Sequence, residues 1–192
     1  METNDETLMT AHKAGDPAAF GALVGRYAGP LLGYLIRLVG DRHHAEDVFQ
    51  ETFSKVHAKR ETFRDGARFK PWLFTIATRR AIDLLRKRQR GPLSVSLDDE
   101  NVSTGFQRDV VDDAPDPGVE FARKEVKEQV RAAVEMLPER QRAALLLSYY
   151  HGLTYPEVAD AMECSLGTVK THMSRALKAL AVRLPDVRGE MI

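Results

Sequence analysis

Between Thr154 and Leu180 the chain reads TYPEVADAMECSLGTVKTHMSRALKAL, which constrains it to two short helices around a tight turn. Thr154 can cap the first helix, with Glu157 three residues on to reach back in a capping box. Val158, Ala159 and Met162 give that helix an apolar stripe. Cys164-Ser165 breaks the pattern, and Ser165 can cap a second helix. There Val169, Met173, Leu177 and Leu180 fall at helical spacing and are expected to face a core. The opposite side presents Lys170, Thr171, Ser174, Arg175 and Lys178, all able to donate hydrogen bonds to phosphates or base edges. A solvated amphipathic hairpin would show one such stripe. Cap, small turn residues and donor face together point to a helix-turn-helix that enters the major groove of DNA.

The rest of the chain is also helical in pattern, with hardly a strand signal. Asp16-Pro17 reads as a cap followed by proline at the first helical position, opening a helix through Phe20, Leu23, Val24 and Tyr27. Gly29-Pro30 is expected to interrupt it before Leu31 to Val39 resumes. Asp41 starts a helix carrying Val48, Phe49, Phe53 and Val56, and Phe69 to Arg90 forms a long basic one. Val119 to Met136 and Pro138 to Tyr150 precede the helix-turn-helix. The expected fold is all-α: two small helical domains, 1–90 and 119–192, joined by an extended linker over 91–118.

A formal net charge of zero hides a strong segregation. From Lys55 to Arg90 there are twelve basic residues against Glu61, Asp65 and Asp83. From Gly91 to Gly118 seven acids face Arg108 alone, among Pro92, Pro115 and Pro117. The first segment should attract polyanions and the second should be repelled by them. No apolar run reads as long enough to span a bilayer, and the polar start METNDETLMT is no signal peptide, so a cytoplasmic location is expected. A single cysteine, Cys164, excludes an internal disulfide and a cysteine-based zinc cage; it reads as a small packing residue. Few residues follow Leu184, so no fused sensory domain is expected.

Two features of the first domain carry chemistry. On the helix from Asp41, residues Asp47, Gln50, Glu51 and Ser54 share one face, an acidic-amide stripe opposite the apolar side. It could be a solvated face or a protein-binding one. The segment FRDGARFKPWLFTIATRRAIDLLRKRQR, Phe63 to Arg90, starts with a loop mixing rings and cations: Phe63, Arg64, Arg68, Phe69 and Lys70. It enters a helix at Pro71-Trp72, along which Thr75, Arg79, Asp83, Arg86 and Arg90 share a stripe. Rings interleaved with cations suit unpaired bases, because stacking is worth about 1–3 kcal/mol per base while cations track phosphates. Some of Trp72, Leu73 and Phe74 must be core, and Trp72 is the residue that could serve either role.

Taken together these segments resemble the extracytoplasmic-function (ECF) sigma factors, the compact two-domain group of the bacterial sigma-70 family. The matching stretches are AEDVFQETF (Ala45 to Phe53), FKPWLFTIATRRAIDLLRKR (Phe69 to Arg88), LPERQRAALLLSYYHGLTYPEVADAM (Leu137 to Met162) and GTVKTHMSRALKAL (Gly167 to Leu180). The resemblance implies a transcription initiation factor with no cofactor, no metal and no small-molecule substrate. In the family the acidic-amide face docks on the clamp helices of the largest subunit of RNA polymerase, implying Asp47, Gln50, Glu51 and Ser54. The loop and basic helix recognise and melt the promoter −10 element, implying Phe63, Arg64, Arg68, Phe69, Lys70, Trp72, Thr75, Arg79 and Arg86. The linker threads toward the polymerase cleft. The second domain meets the flap of the second-largest subunit and reads the −35 element, implying Lys170, Thr171, His172, Ser174, Arg175 and Lys178. Such factors are commonly held inactive by an anti-sigma factor, often membrane-anchored, without inserting in the membrane themselves.

The chain departs from the family pattern in three places. Arg79 stands where many members carry an asparagine, His172 replaces the more usual arginine after the Lys-Thr/Ser pair, and Glu163 occupies a turn position where glycine is common, implying a slightly different turn. Other function classes compete. No glycine-rich phosphate loop, nucleophile elbow or zinc-binding His-Glu motif supports an enzyme, and the adjacent His43 and His44 point apart on a helix. A plain helix-turn-helix regulator needs neither the basic-aromatic loop nor the acidic linker. A sigma mimic that titrates an anti-sigma factor differs little in sequence, although the intact basic recognition elements favour promoter binding.

Overall fold

The computed structural model describes residues 3–90 and 117–184, with side chains from 3–89 and 125–184. Eight α-helices account for most of them, and no strand occurs among the described residues: α1 (Asp5–Lys13), α2 (Pro17–Val39), α3 (Arg42–Ala58), α4 (Phe69–Arg90), α5 (Pro117–Glu135), α6 (Glu139–Leu145), α7 (Tyr155–Met162) and α8 (Leu166–Arg183). The acidic stretch 91–116 lies outside the described residues; the last two positions of the expected linker are already helical, in α5.

Local chemistry sets most helix starts. Asp16 accepts from Ala18 N–H, Asp41 from His44 N–H and Ser165 from Thr168 N–H, each satisfying an orphan donor of a first turn. Thr154 and Glu157 form the full capping box of α7. α6 runs on into one wide π-type turn, Leu146–Tyr150, which ends at the buried His151.

Two expectations change, and one helix was not read at all. Gly29-Pro30 does not break α2, which continues through Pro30 to a left-handed Gly40. Proline inside a helix costs about 3 kcal/mol or more. Leu23, Leu31, Tyr34, Leu35 and Leu38, each fully buried, lie on both sides of it, and burial returns roughly 1.5–3 kcal/mol for each large apolar side chain. The uninterrupted α2 is then long and apolar enough to cross a membrane by length and composition, contrary to the sequence reading. Here it is the central core helix, covered by α1, α3 and α4. The helix not read is α1, formed by the polar N-terminal stretch, capped by Asn4 and anchored by the fully buried Met9.

The buried residues form one continuous cluster drawn from both halves of the chain. α7 packs along α4, and α6 meets α2. His151 sits at this junction, its ring edge-on to Tyr34 (centroids 5.3 Å apart) and tilted over Phe74 at 4.4 Å. Tyr34 in turn shares a buried hydrogen bond with Thr78 on α4, 2.7 Å long.

Candidate nucleic-acid and protein interfaces

The stripe on α3 is a surface in fact. Asp47, Gln50, Glu51 and Ser54 are all exposed, while Val48, Thr52, Phe53 and Val56 on the opposite side are buried. The four line one open groove with Lys55 and Arg80. Arg80, contributed by α4, forms an ion pair with Glu51. Sequence reading missed it, since nothing local says that residues 29 positions apart meet. The groove therefore presents a free carboxylate surface at Asp47 and a half-neutralised one at Glu51.

The loop between α3 and α4 is pinned by α1. Lys13 Nζ donates to the Phe63 carbonyl at 3.1 Å and pairs with Asp65 at 2.9 Å, and Glu6 accepts from the Phe69 N–H at 3.3 Å. Gly66 makes the turn with φ +78°. This pinning turns the rings inward: Phe63 is 3% exposed and Phe69 fully buried, the latter edge-on to Tyr27 at 5.4 Å. Neither ring is presented to a base, a correction to the sequence reading, because hydrophobic burial claims both. Trp72 is half-buried, packed edge-on to Phe63 at 5.1 Å, and so remains the available aromatic surface. Arg64 is exposed and Lys70 half-buried.

Along α4, Thr75 is half-buried and its hydroxyl donates back to the Pro71 carbonyl at 2.8 Å. Arg86 is exposed, 3.8 Å from Asp83. Arg68 and Arg79 do not face open solvent alone, because α7 lies over this side of α4. Arg68 pairs with Glu157 at 3.0 Å. Arg79 donates to the Asp160 carbonyl at 3.0 Å and pairs with Glu163 at 3.2 Å. Gln89 donates to Glu139 at 2.7 Å. These acceptors from the second half of the chain were invisible in the sequence, since each contact spans tens of residues.

The helix-turn-helix has its expected back and front, with one adjustment. Val158, Ala161 and Met162 of α7 meet Val169 and Met173 of α8, all buried. The stripe then turns to Ala176, fully buried, and leaves Leu177 53% exposed. Helical spacing allows either residue, and the smaller one takes the buried place. Lys170, Thr171, Ser174, Arg175 and Lys178 are all exposed. His172 is half-buried with its Nδ1 inside the domain; burial, then the Arg140 and Arg175 charges, lowers its pKa, so the ring is held neutral. It is a poorer phosphate ligand than its place in the sequence implies. Cys164 is half-buried and burial raises its thiol pKa, which suits packing.

Glu163 links the two helices with φ +51°, ψ +53°, the one non-glycine residue at positive φ among the described residues. The left-handed conformation costs an L-residue roughly 1–2 kcal/mol that glycine would not incur. The turn is not the slightly different one expected of a residue other than glycine: it keeps the left-handed form and is built with a strained residue.

A family model described as Sigma-70 region 2 matches residues 23–91, and one described as Sigma-70, region 4 matches residues 127–180. The RNA polymerase sigma-H factor of Pseudomonas aeruginosa is 32% identical over 189 residues, covering 98% of each chain. The ECF RNA polymerase sigma-E factor of Haemophilus influenzae is 33% identical over 178 residues, 91% of this chain and 92% of that one. Among solved structures, the sigma factor RpoE of Bartonella quintana, in complex with the anti-sigma factor NepR, superposes with a TM-score of 0.66 at 27% identity, covering 88% of this chain and 98% of that one. CnrH in complex with the cytosolic domain of CnrY gives 0.63 at 25% identity, over 94% and 97%.

Proposed function

This chain belongs to the extracytoplasmic-function sigma factors of the sigma-70 family, and from that premise we propose how its three surfaces divide the work of transcription initiation. The groove of Asp47, Gln50, Glu51 and Ser54 docks on the clamp helices of core RNA polymerase, where carboxylates and amides meet basic partner groups. Trp72, with Arg64, Arg68, Lys70, Arg79 and Arg86, engages the −10 element as its bases leave the duplex. Lys170, Thr171, Ser174, Arg175 and Lys178 enter the major groove of the −35 element. The flap of the second-largest subunit meets the second domain. The chain acts by binding and positioning, in the cytoplasm, rather than by catalysis of its own.

The observation that carries this beyond a plain DNA-binding regulator is the α3 groove, an open acidic-amide surface on the face away from α7 and α8. A repressor would have no use for it. One structural neighbour, RpoE, is in complex with the anti-sigma factor NepR, and an anti-sigma factor is the natural regulator of this chain also. The test is affinity capture of core polymerase by the full chain. Wild type should retain it, whereas Asp47→Lys together with Gln50→Lys should not, with unchanged thermal unfolding. Undiminished capture by the folded double variant contradicts the docking assignment.

A further inference from the structure

The α3 groove carries no net charge. Two acids and two bases line it, Asp47 and Glu51 against Lys55 and Arg80, together with Gln50 and Ser54. The charges are sorted rather than mixed. Asp47 stands eight residues before Lys55 in α3, about 12 Å along the helix axis. Arg80 reaches in from α4 to Glu51, so the second cation enters one turn past Asp47. The groove thus runs from an anion at Asp47 to cations at Arg80 and Lys55.

Pairing inside the groove is incomplete. Neither the Asp47 carboxylate nor the Lys55 ammonium has a hydrogen-bond or ion-pair partner among the described residues. The Arg80 side chain is 30% exposed; its Nη2 donates to Glu51, while its Nε is buried with no partner. A guanidinium has five N–H donors, so most of the bonding capacity of Arg80 is unspent. A partner that covers the groove strips water from these groups, and a charge desolvated without a counter-charge is costly. A uniformly basic surface would gain at Asp47 and lose at Arg80 and Lys55. The groove fits a surface that offers a base and an acid together.

We propose that Arg80, with Lys55 beside it, selects an acidic residue on the polymerase helix that docks here, as Asp47 selects a basic one. Arg80 is then a specificity-determining residue of the groove, and Glu51 holds its guanidinium in place for the incoming carboxylate. The docking helix carries its base and its acid on one face, one to two turns apart. Their order fixes its direction, because the reverse order sets like charges together. The inference rests on the assignment of the α3 groove to polymerase docking.

The experiment measures the dissociation constant of the full chain for core polymerase, with thermal unfolding recorded for every variant. Arg80→Gln should weaken binding by about fivefold to twentyfold, and by a similar factor when Glu51→Gln is already present. Arg80→Lys, which keeps the charge, should lose less. Lys55→Gln, at a half-buried side chain, should also weaken binding, and it carries the comparison if Arg80→Gln lowers the unfolding midpoint. Arg131→Ala removes the same charge from α5 and should change nothing. Tighter or unchanged binding in Arg80→Gln means that Arg80 only screens Glu51, which overturns the proposal. A loss that disappears in the Glu51→Gln background reduces Arg80 to a support for Glu51 and overturns it too. An equal loss in Arg131→Ala reduces the effect to net charge, with the same consequence. Failure of the docking assignment itself looks different: Asp47→Lys with Gln50→Lys would then bind polymerase as wild type does.

Discussion

The guanidinium of Arg142, 8% exposed, donates to the carbonyl of Leu38, joining residues 104 positions apart at 2.8 Å. A second nitrogen of the same group donates to the Glu135 carbonyl. One side chain thus closes the C-terminal end of α2 and the end of α5, satisfying carbonyls that a helix end leaves without partners. Charge-assisted hydrogen bonds of this kind are worth roughly 1.5–3 kcal/mol each.

Arg142→Ala should therefore destabilise the chain by about 3 kcal/mol and loosen the coupling of its halves. Urea unfolding followed by probes in each half would show separated transitions in place of a shared one. Coincident transitions with unchanged midpoint would mean that the apolar junction alone couples them.

The inward rings of the α3–α4 loop make a second prediction. Phe69→Ala should cost about 3–5 kcal/mol of stability, as truncation of a fully buried ring does. Trp72→Ala, at a half-buried position, should cost less stability and instead slow open-complex formation relative to closed-complex binding. Permanganate reactivity at unpaired thymines reads the second effect. Equal footprints for wild type and Trp72→Ala would remove Trp72 from the DNA surface.

Acid should weaken the junction. Burial, then the nearby Lys70 and Arg37 charges, lowers the His151 pKa from 6.5 to about 3, so the folded chain keeps the ring neutral. Below the unfolded pKa the unfolded chain takes up a proton that the folded chain refuses, so stability falls with pH across the window from 6.5 down to about 3. Between about pH 7 and about pH 5 the loss attributable to this ring is about 2 kcal/mol. Burial likewise lowers the pKa of His12 and His172, adding in the same direction. His151→Phe keeps the stacking on Phe74 and should flatten the acid dependence. An unchanged pH slope in that variant would contradict the assignment.

The recognition helix separates reading from holding. Arg175→Ala should cost roughly 1–3 kcal/mol and relax preference at one upstream base position. Lys178→Ala should weaken all sequences about equally and reduce the salt dependence. Titrations on a randomised upstream element at two salt concentrations distinguish them. Both side chains are exposed over a back sealed by Val169, Met173 and Ala176, so neither change should reach the core.

What could be read from sequence was what neighbours decide. The Thr154–Glu157 capping box, the Asp16, Asp41 and Ser165 caps and the four-residue face of α3 all depend on residues within a few turns, and each takes the expected form. The misreadings share the opposite cause. Pro30 continues a helix because tertiary burial on both sides outweighs its local cost, and Phe63 and Phe69 turn inward because Lys13 and Glu6 of α1 pin the loop from outside it. Ala176 takes the buried place in the stripe that Leu177 was expected to hold. The contacts of Arg68, Arg79 and Arg80 all join residues far apart in the chain, and no local pattern encodes such meetings.

The central claim is that this chain directs core RNA polymerase to promoters through α4 and α8. Start sites mapped after transcription of fragmented genomic DNA, by core polymerase with and without the chain, test it most directly. The account predicts chain-dependent starts that share two upstream elements, with Arg175→Ala relaxing the distal one and Arg79→Ala the proximal one. A folded chain that binds polymerase yet adds no start sites would contradict it, and would mark the chain as a sigma mimic instead.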